Sequence, residues 1–358
     1  MELNDSKDNS AAQRTVIPGR LCDNRITVPV YFVLNSYNGT TYNESEVLME
    51  TTGITFYYNW EVDLMVWLQT HLGPTVTRII SFFSTFGEPI IFVMIIGLFY
   101  WGIDKKYGKF MAANVFSVCL LGSMIKNIAL RRRPYFDHKS IACLRPAEKG
   151  DIYDIALQGF SFPSLHAANS INIFTITARY IKSNKLKLLK FICLLLPFLV
   201  GISRPIVGVH YPTDVIIGWF LGLLVMFLID VMLKKVKDIN WIFAAVLIMG
   251  LPGFFFCKST DFYTSYGLLT GSVLGFLFEK KYVNFKPAKN YLYAMIRVIL
   301  GGVIFAGCTA LLKLPFPKEL LESTSTASFL IRAFRYAITA FVIMGAYPLC
   351  FNKGKIDL

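Results

Sequence analysis

The residues best suited to chemistry lie in three short polar clusters, and each cluster borders a long apolar run. In chain order the clusters read "KNIALRRRP", "SFPSLHAANS" and "SRPIVGVHYPTD". Ionisable side chains are costly within membrane-like apolar segments, so they usually serve a function there. The candidate residues are Lys126, Arg133, Ser164, His166, Arg204, His210 and Asp214.

These residue types suit the cleavage of a phosphate ester. An arginine fork binds two phosphate oxygens at once, and a lysine adds a point charge. Fixed cations of this kind stabilise the charge of a phosphoryl transition state. One histidine can attack phosphorus, the other can protonate the leaving oxygen, and an aspartate can orient the attacking imidazole. Backbone N–H groups next to Ser164, where a helix is expected to begin, can bind an anion.

The composition indicates a polytopic membrane protein. Hydrophobic residues make up 54% of the 358 positions and charged residues 16%, whereas soluble domains carry about a quarter charged residues. The formal net charge of +13 comes mostly from Lys/Arg clusters between apolar runs, which is typical of membrane topology and not of nucleic-acid binding. Neither a zinc-ligand spacing nor a glycine-rich nucleotide loop is present. We therefore expect no metal, no cofactor and no nucleic-acid partner.

The expected fold class is all-α, a membrane bundle of about nine transmembrane helices around one outward-facing site. A helical span needs about 20 apolar residues. If the spans alternate, five Lys/Arg clusters between and after them fall on one side, which the positive-inside rule makes cytoplasmic. The three polar clusters then lie on the extracytoplasmic face. The candidate spans are 86–103, 110–130, 162–181, 187–207, 212–233, 239–257, 263–279, 291–312 and 328–350.

The sequence divides into four predicted segments. A polar, mostly irregular tail covers 1–57. An amphipathic helix over 58–85 is expected to lie on the membrane interface, anchored by Trp60 and Trp67. The core with the three clusters covers 86–235, and additional transmembrane helices cover 236–358. This arrangement places the tail outside the cell or in the lumen. If 58–85 spans the membrane instead, the tail lies on the cytoplasmic side.

The three clusters resemble the signature of the type 2 phosphatidic acid phosphatase superfamily, which includes lipid phosphate phosphatases and vanadium haloperoxidases. That signature is K-x6-R-P, P-S-G-H and S-R-x5-H-x3-D. The first and third parts match without exception, and the second differs because Leu165 stands where the family has glycine. The resemblance covers residues 126–214, roughly a quarter of the chain. The stretch "STFGEPIIFVMIIGLFYWGIDKKYGKF" is in addition similar to the sphingosine-1-phosphate phosphatase subgroup.

The resemblance implies a role for each matching residue. His210 resembles the nucleophile that forms a phospho-histidine, Asp214 its orienting partner, and His166 the acid that protonates the leaving group. The family's phosphate ligands correspond to Lys126, Arg133, Ser164, Leu165 (through its backbone N–H) and Arg204. Family members need no metal. A leucine side chain adds bulk and disfavours any positive-φ conformation at this position.

The resemblance predicts an integral membrane phosphatase that hydrolyses a lipid phosphate or lipid pyrophosphate. Its expected partners are that lipid substrate and the bilayer. Alternatives remain on the same site: a lipid phosphotransferase that passes the phosphoryl group to a hydroxyl, and a sugar phosphatase of the glucose-6-phosphatase type. A non-catalytic transporter or binding protein is a third reading. The complete pair of histidines argues against that reading.

Overall fold

A computed structural model of the chain describes residues 16–23, 26–33, 53–147 and 150–351. Two strands, β1 (Val16–Asp23) and β2 (Ile26–Val33), pair antiparallel in register from Val16–Val33 to Asp23–Ile26. This hairpin lies within the predicted tail over 1–57, most of whose other residues lie outside the described ranges. Both strands contain β-branched residues, two in "VIPGRLCD" and five in "ITVPVYFV", and such residues favour strands.

The rest of the described chain is helical. Single turns of 3₁₀ or π geometry extend the helix Pro74–Phe83 to Gly87 and the helix Pro89–Gly97 to Ile103. The helices are α1 (Asn59–His71), α2 (Pro74–Phe83), α3 (Pro89–Gly97), α4 (Lys105–Ala129), α5 (Pro134–Asp137), α6 (Ile155–Gln158), α7 (Leu165–Tyr180), α8 (Lys187–Ile206), α9 (Pro212–Val236), α10 (Ile239–Gly250), α11 (Gly253–Phe256), α12 (Thr260–Phe278), α13 (Tyr291–Leu311), α14 (Lys318–Glu322) and α15 (Thr326–Phe341).

The all-α membrane fold is confirmed, but the count of nine spans is not. Within the described residues, six helices are long and apolar enough to cross a membrane, or seven if the bent pair of α2 and α3 is one span. The helices that miss this test include α7 and α12. The first has only 16 residues, and the second is rich in glycine, serine and threonine. Both pack inside the bundle, where a helix does not need a lipid-facing apolar surface.

The segment 58–85 is not one helix. It forms α1 and α2, which are separated at Gly73, and α2 meets α3 at a 49° bend. Proline explains both breaks, because Pro74 and Pro89 occupy the first positions of α2 and α3, where a missing N–H is tolerated. Trp60 and Trp67 are exposed, while the opposite side of α1 is buried.

The helix α4 is the central element, and 72% of its most apolar stretch is buried. It packs against α7, α9, α10 and α12. The helices α7 and α9 approach closely because α9 presents glycine to α7. A Cβ atom at Gly218 would lie 2.6 Å from the carbonyl oxygen of Ser164, and one at Gly222 would lie 2.2 Å from that of Ala168. Small residues allow such backbone contact between membrane helices, and here the contact fixes the start of α7 against the start of α9.

The C-terminal helices are built on a parallel pair, α12 and α15. Cβ atoms at Gly267 and Gly271 would lie 2.2 Å and 1.9 Å from the carbonyl oxygens of Ala333 and Ala337. This pair is attached to the core at the far end of the bundle from the three clusters. There the buried carboxylate of Glu279 contacts Lys105 at 2.8 Å. The C-terminal helices therefore form one packed unit with the core.

Candidate active site

Four helix ends meet where the three sequence clusters converge. The helix α4 ends in a left-handed residue, Leu130, and α7 begins at its N-cap, Ser164. The N–H of Ser164 donates to the carbonyl oxygen of Asp214 at 3.0 Å, and that of Ser161 donates to Arg131 at 2.8 Å. Backbone hydrogen bonds therefore tie the second cluster to both of the others.

A tight turn between α8 and α9 positions the third cluster. After α8 ends, Gly208 adopts a φ of 82°, which favours glycine. A Cβ atom there would lie 2.1 Å from the carbonyl oxygen of Ala142. The side chain of Gln69 on α1 donates to the carbonyl oxygens of Ala142 and Ile206 at 2.9 and 3.0 Å. These contacts hold the turn that places His210 immediately before α9.

His210 and Asp214 form a buried pair, with exposed fractions of 1% and 0%. Nδ1 of His210 lies 3.4 Å from Oδ2 of Asp214, although the angle is not that of a hydrogen bond. Burial lowers the pKa of His210 well below its usual value, and the charges of Arg133, Arg204 and Lys126 and the ring of His166 lower it further. A lowered pKa favours the neutral imidazole, which is the nucleophilic form.

Asp214 belongs to a carboxylate–arginine network that the sequence did not reveal. Its Oδ2 accepts from the N–H of Tyr211 at 2.8 Å, and its Oδ1 accepts from Arg131 at 2.7 Å. Arg131 donates in turn to Glu61 on α1 at 2.8 Å, and Glu61 accepts from the Thr213 hydroxyl at 2.6 Å. Arg131, Glu61 and Asp214 are all almost fully buried. The network thus fixes both oxygens of the carboxylate beside His210.

Arg133 and Arg204 donate their hydrogen bonds to neutral oxygens and not to carboxylates. Arg133 donates to the backbone carbonyl oxygens of Gln158, Gly159 and Val209. Arg204 donates to the Ser84 hydroxyl, and its Nε is buried without a partner among the described residues.

No carboxylate of the described chain lies within 4.0 Å of Arg133 or Arg204. Lys126 lies 3.8 Å from Asp261, a carboxylate that is half exposed. The three cations therefore leave an excess of positive charge beside His210.

The second histidine has its own carboxylate. Nε2 of His166 lies 3.7 Å from Oε1 of Glu88, at the bend between α2 and α3. Arg145 holds that carboxylate at 3.1 Å and also donates to the carbonyl oxygen of Ser81 at 2.9 Å. Gly87 permits the approach, because a Cβ atom there would lie 3.0 Å from the ring of His166. After Glu61 and Arg131, Glu88 is a third residue that motif matching alone did not find.

Comparison with known proteins decides the family. A family model described as PAP2 superfamily matches residues 106–238, and one described as PAP2 superfamily phosphatase, transmembrane extension, matches residues 263–357. A phosphatidylglycerophosphatase B of Bacillus subtilis (strain 168) is 30% identical over 178 residues, which cover 47% of this chain and 73% of that protein. The chain belongs to the PAP2 superfamily. It is accordingly a multi-pass membrane protein and a phosphoric monoester hydrolase.

Other comparisons add to this assignment. An undecaprenyl-diphosphatase of Sulfolobus acidocaldarius is 25% identical over 170 residues, which cover 47% of this chain and 76% of that protein. No solved structure matches the chain significantly. Neither relative is named as a sphingosine-1-phosphate phosphatase, so that subgroup stays a prediction. The match over 263–357 shows that the C-terminal helices are a recognised extension of the PAP2 core.

The PAP2 core accommodates Leu165 without backbone strain. Leu165 is the first residue of α7 and does not have a positive φ. Ser164, directly before it, caps the helix by accepting from the N–H of Ala167 at 3.4 Å. The leucine side chain lies over Gly122 of α4, where a Cβ atom would be 2.2 Å from Leu165 Cδ2. The bulk added at position 165 is thus offset by the absence of a side chain at position 122.

The described residues contain no group of three or more His, Cys, Asp or Glu side chains that could hold a metal ion. The site offers cations and imidazoles instead. Those groups can bind a phosphate and donate or accept a proton, and the neutral His210 can form a bond to phosphorus.

Proposed function

We propose that this PAP2 protein hydrolyses a lipid phosphate or lipid pyrophosphate through a phospho-histidine on His210, without a metal ion. The observation that carries the proposal is the buried His210–Asp214 pair beside Arg133 and Arg204, two buried cations that have no carboxylate partner among the described residues. Phosphoryl transfer is catalysed mainly by positioning and by charge stabilisation. Lys126, Arg133 and Arg204 supply the fixed charge for which other phosphotransfer enzymes use metal ions.

The first chemical step forms the phospho-enzyme. The Nδ1 side of His210 faces Asp214, so Nε2 attacks phosphorus. The bond between phosphorus and the ester oxygen breaks, and His166 donates a proton to the leaving lipid hydroxyl. Asp214, held by Arg131, orients the ring and stabilises its positive charge.

The second step restores the enzyme. Water attacks phosphorus, His166 takes a proton from that water, and the P–N bond breaks to release inorganic phosphate and neutral His210. Glu88 lies beside His166 and offsets the positive charge of the ring in the steps in which it holds the transferred proton. Glu61 and Arg131 are positioning residues, because they touch Asp214 and not the reacting atoms.

Two observations support a lipid substrate. The names of both relatives denote enzymes that act on lipid phosphates, a phosphatidylglycerophosphatase and an undecaprenyl-diphosphatase. The site also lies at the ends of membrane helices, so a lipid could present its headgroup to Arg133 and Arg204 while its tail stays in hydrocarbon. The relatives give no comparable support to a sugar phosphatase.

A phosphate-release assay of the purified protein in detergent tests the proposal. The panel contains phosphatidate, phosphatidylglycerophosphate, polyprenyl phosphate and diphosphate, and a sphingoid phosphate, each with a chelator present. We expect release from at least one lipid with wild-type protein and none with His210→Ala. Release by wild type that requires an added metal would contradict the mechanism, as would undiminished release by folded His210→Ala. Chromatography of the products with an added acceptor alcohol separates hydrolysis from phosphotransfer.

We further propose that the site faces the extracytoplasmic side, on the basis of the charge clusters. Single cysteines at Lys139, near the site, and at Lys185, at the opposite end of α7, test this orientation. An impermeant thiol reagent applied to intact cells should label the first and not the second. The reverse labelling would place the site in the cytoplasm.

A further inference from the structure

A second cationic pocket lies in the C-terminal extension, outside the catalytic motifs. It is a cavity of about 290 Å³ between α13, α14 and α15. Its lining includes four cations and one carboxylate: Lys313, Lys318, Arg332, Arg335 and Glu322. Nothing in the proposed phosphatase chemistry uses these residues. A pocket with three more cations than carboxylates is suited to an anion.

Arg335 is the key residue, because it is buried and incompletely bonded. Its exposed fraction is 6%, and its Nε has no hydrogen-bond partner among the described residues. Its Nη2 makes only a long contact of 3.4 Å with the carbonyl oxygen of Thr309. An arginine buried in a membrane helix is costly and usually marks a functional site. The unpaired N–H of this arginine is available to a ligand in the cavity.

The pocket opens at the same end of the bundle as His210. The helix α12 begins beside Lys126, through Asp261, and ends at Glu279, which contacts Lys105. Since α15 runs parallel to α12, α15 also begins at the His210 end. Arg335 lies nine residues into α15, about 14 Å along the axis. Helical side chains point toward the N-terminus, so the guanidinium is directed back toward that end of the bundle.

Exposed apolar side chains lie close in the chain to the cationic lining residues. Leu314, Leu330 and Phe334 are exposed by 77%, 48% and 63%, on the same loop and helix that carry Lys313 and Arg335. A free anion would need only the charges. An anion attached to acyl chains would also use this apolar surface, which favours a lipid as the ligand.

We propose that this pocket binds the phosphate group of an anionic phospholipid, at a site separate from the catalytic one. The four cations bind the phosphate, Arg335 contributes the unpaired N–H at the base of the cavity, and the apolar side chains contact the acyl chains. The same phosphate chemistry could come from free inorganic phosphate, and the test below distinguishes the two sources. The inference does not depend on the proposed hydrolysis.

Thermal unfolding of the full chain in detergent measures this binding. The probes are dioctanoyl phosphatidylglycerol, dioctanoyl phosphatidylcholine and inorganic phosphate. Phosphatidylglycerol carries a phosphodiester, so it is not a monoester substrate. Every protein carries Arg204→Met, which weakens phosphate binding at the catalytic site. A ligand that binds only the folded state raises the unfolding midpoint, and we expect phosphatidylglycerol to raise it by about 2–4 °C.

Two variants assign the effect to the pocket. Arg335→Met should abolish the rise, whereas Lys190→Met, which removes an exposed cation at the opposite end of the bundle, should keep it. If Arg335→Met does not fold, the double variant Lys313→Met/Lys318→Met serves instead, because both lysines are exposed. A rise that persists in these pocket variants would overturn the proposal.

The probes separate the sources of the phosphate. A rise with phosphatidylglycerol and not with inorganic phosphate identifies a lipid headgroup as the ligand. An equal rise with inorganic phosphate, also lost in Arg335→Met, supports an anion site whose ligand is free phosphate. An equal rise with phosphatidylcholine would show that acyl contact alone is responsible, and would overturn the assignment to an anionic group.

Discussion

Two groups of buried arginines lie side by side at the active end of this PAP2 protein, and they are neutralised differently. Arg131 donates to two buried carboxylates, those of Glu61 and Asp214, at 2.8 and 2.7 Å. Arg133 and Arg204 are as deeply buried but contact carbonyl and hydroxyl oxygens. A buried charge needs a counter-charge. The contacts make Arg131 part of the internal framework. Under the proposed function, the counter-charge of Arg133 and Arg204 is the phosphate of the substrate.

The largest loss of stability should follow from removing Arg131, the arginine that is paired with buried carboxylates. Arg131→Met leaves the carboxylates of Glu61 and Asp214 buried without their cation, and loss of one partner from a buried ion pair costs about 3–5 kcal/mol. We expect a large fall in the thermal unfolding midpoint in detergent, together with loss of activity. Adding Glu61→Gln should recover part of the stability, because it removes one of the unpaired charges. An unchanged midpoint in Arg131→Met would contradict this framework role.

The second effect should separate activity from stability. Arg204→Met removes a cation that stabilises the transferring phosphate, and loss of one such group lowers kcat by about 10²–10³-fold. The unfolding midpoint should stay the same or rise, since the substitution relieves repulsion from Arg133 and leaves no carboxylate unpaired. Phosphate release and thermal unfolding, measured on the same preparations as Arg131→Met, give the comparison directly. If the unfolding midpoint of Arg204→Met fell as much as that of Arg131→Met, the two kinds of arginine would not differ in their role in stability.

The third effect concerns the acid side of the site. His166→Ala should lower hydrolysis of a lipid phosphate by about 10²–10⁴-fold and lower hydrolysis of an aryl phosphate less, because a phenol leaves without a proton. Glu88→Gln should show the same preference with a smaller loss, since it weakens only the support of the imidazolium. The ratio of the two rates is the measurement. An equal loss on both substrates would mean that His166 binds phosphate and does not donate a proton.

The smallest effect concerns the packing that fixes the start of α7. A methyl group at Gly122 would meet the Leu165 side chain, and overpacking typically costs about 1–3 kcal/mol. Because the contact is with the flexible end of a leucine, we expect the lower end of that range. The cost of Gly122→Ala should disappear when Leu165→Ala is also present. A double-mutant cycle of unfolding midpoints measures this coupling. Equal costs in both backgrounds would show that Leu165 does not fill the space above Gly122.

The sequence predicted the motif residues and the helical fold because both depend on local patterns. Lys126 and Arg133 lie within one short stretch of the chain, and so do Arg204 and Asp214. In the structure, backbone hydrogen bonds of Ser161 and Ser164 connect the clusters. The long apolar runs predicted helices, and they are helical in the structure. The roles assigned to these residues remain predictions until the variants are measured.

The parts that the sequence did not reveal depend on contacts between distant segments. Glu61 is 70 residues from Arg131 and 152 from Thr213, so its polar neighbourhood suggested only an interfacial helix. Pro74 and Pro89 were the visible signal for the broken helices, because proline starts helices more often than it continues them. The count of nine spans is not confirmed, because α7 and α12 do not pass a test of length and composition. Neighbouring helices cover both, which hydropathy does not show.

The central claim is that His210 carries the phosphoryl group, and rapid quenching with a lipid phosphate labelled on phosphorus tests it most directly. Wild-type protein should show an acid-labile, alkali-stable phospho-enzyme, with the label on the peptide that contains His210. The label should be absent in His210→Ala and should accumulate in a variant in which hydrolysis of the intermediate is slowed, such as His166→Ala with an aryl phosphate. A phospho-enzyme of normal yield in His210→Ala, or label on another residue, would contradict the account.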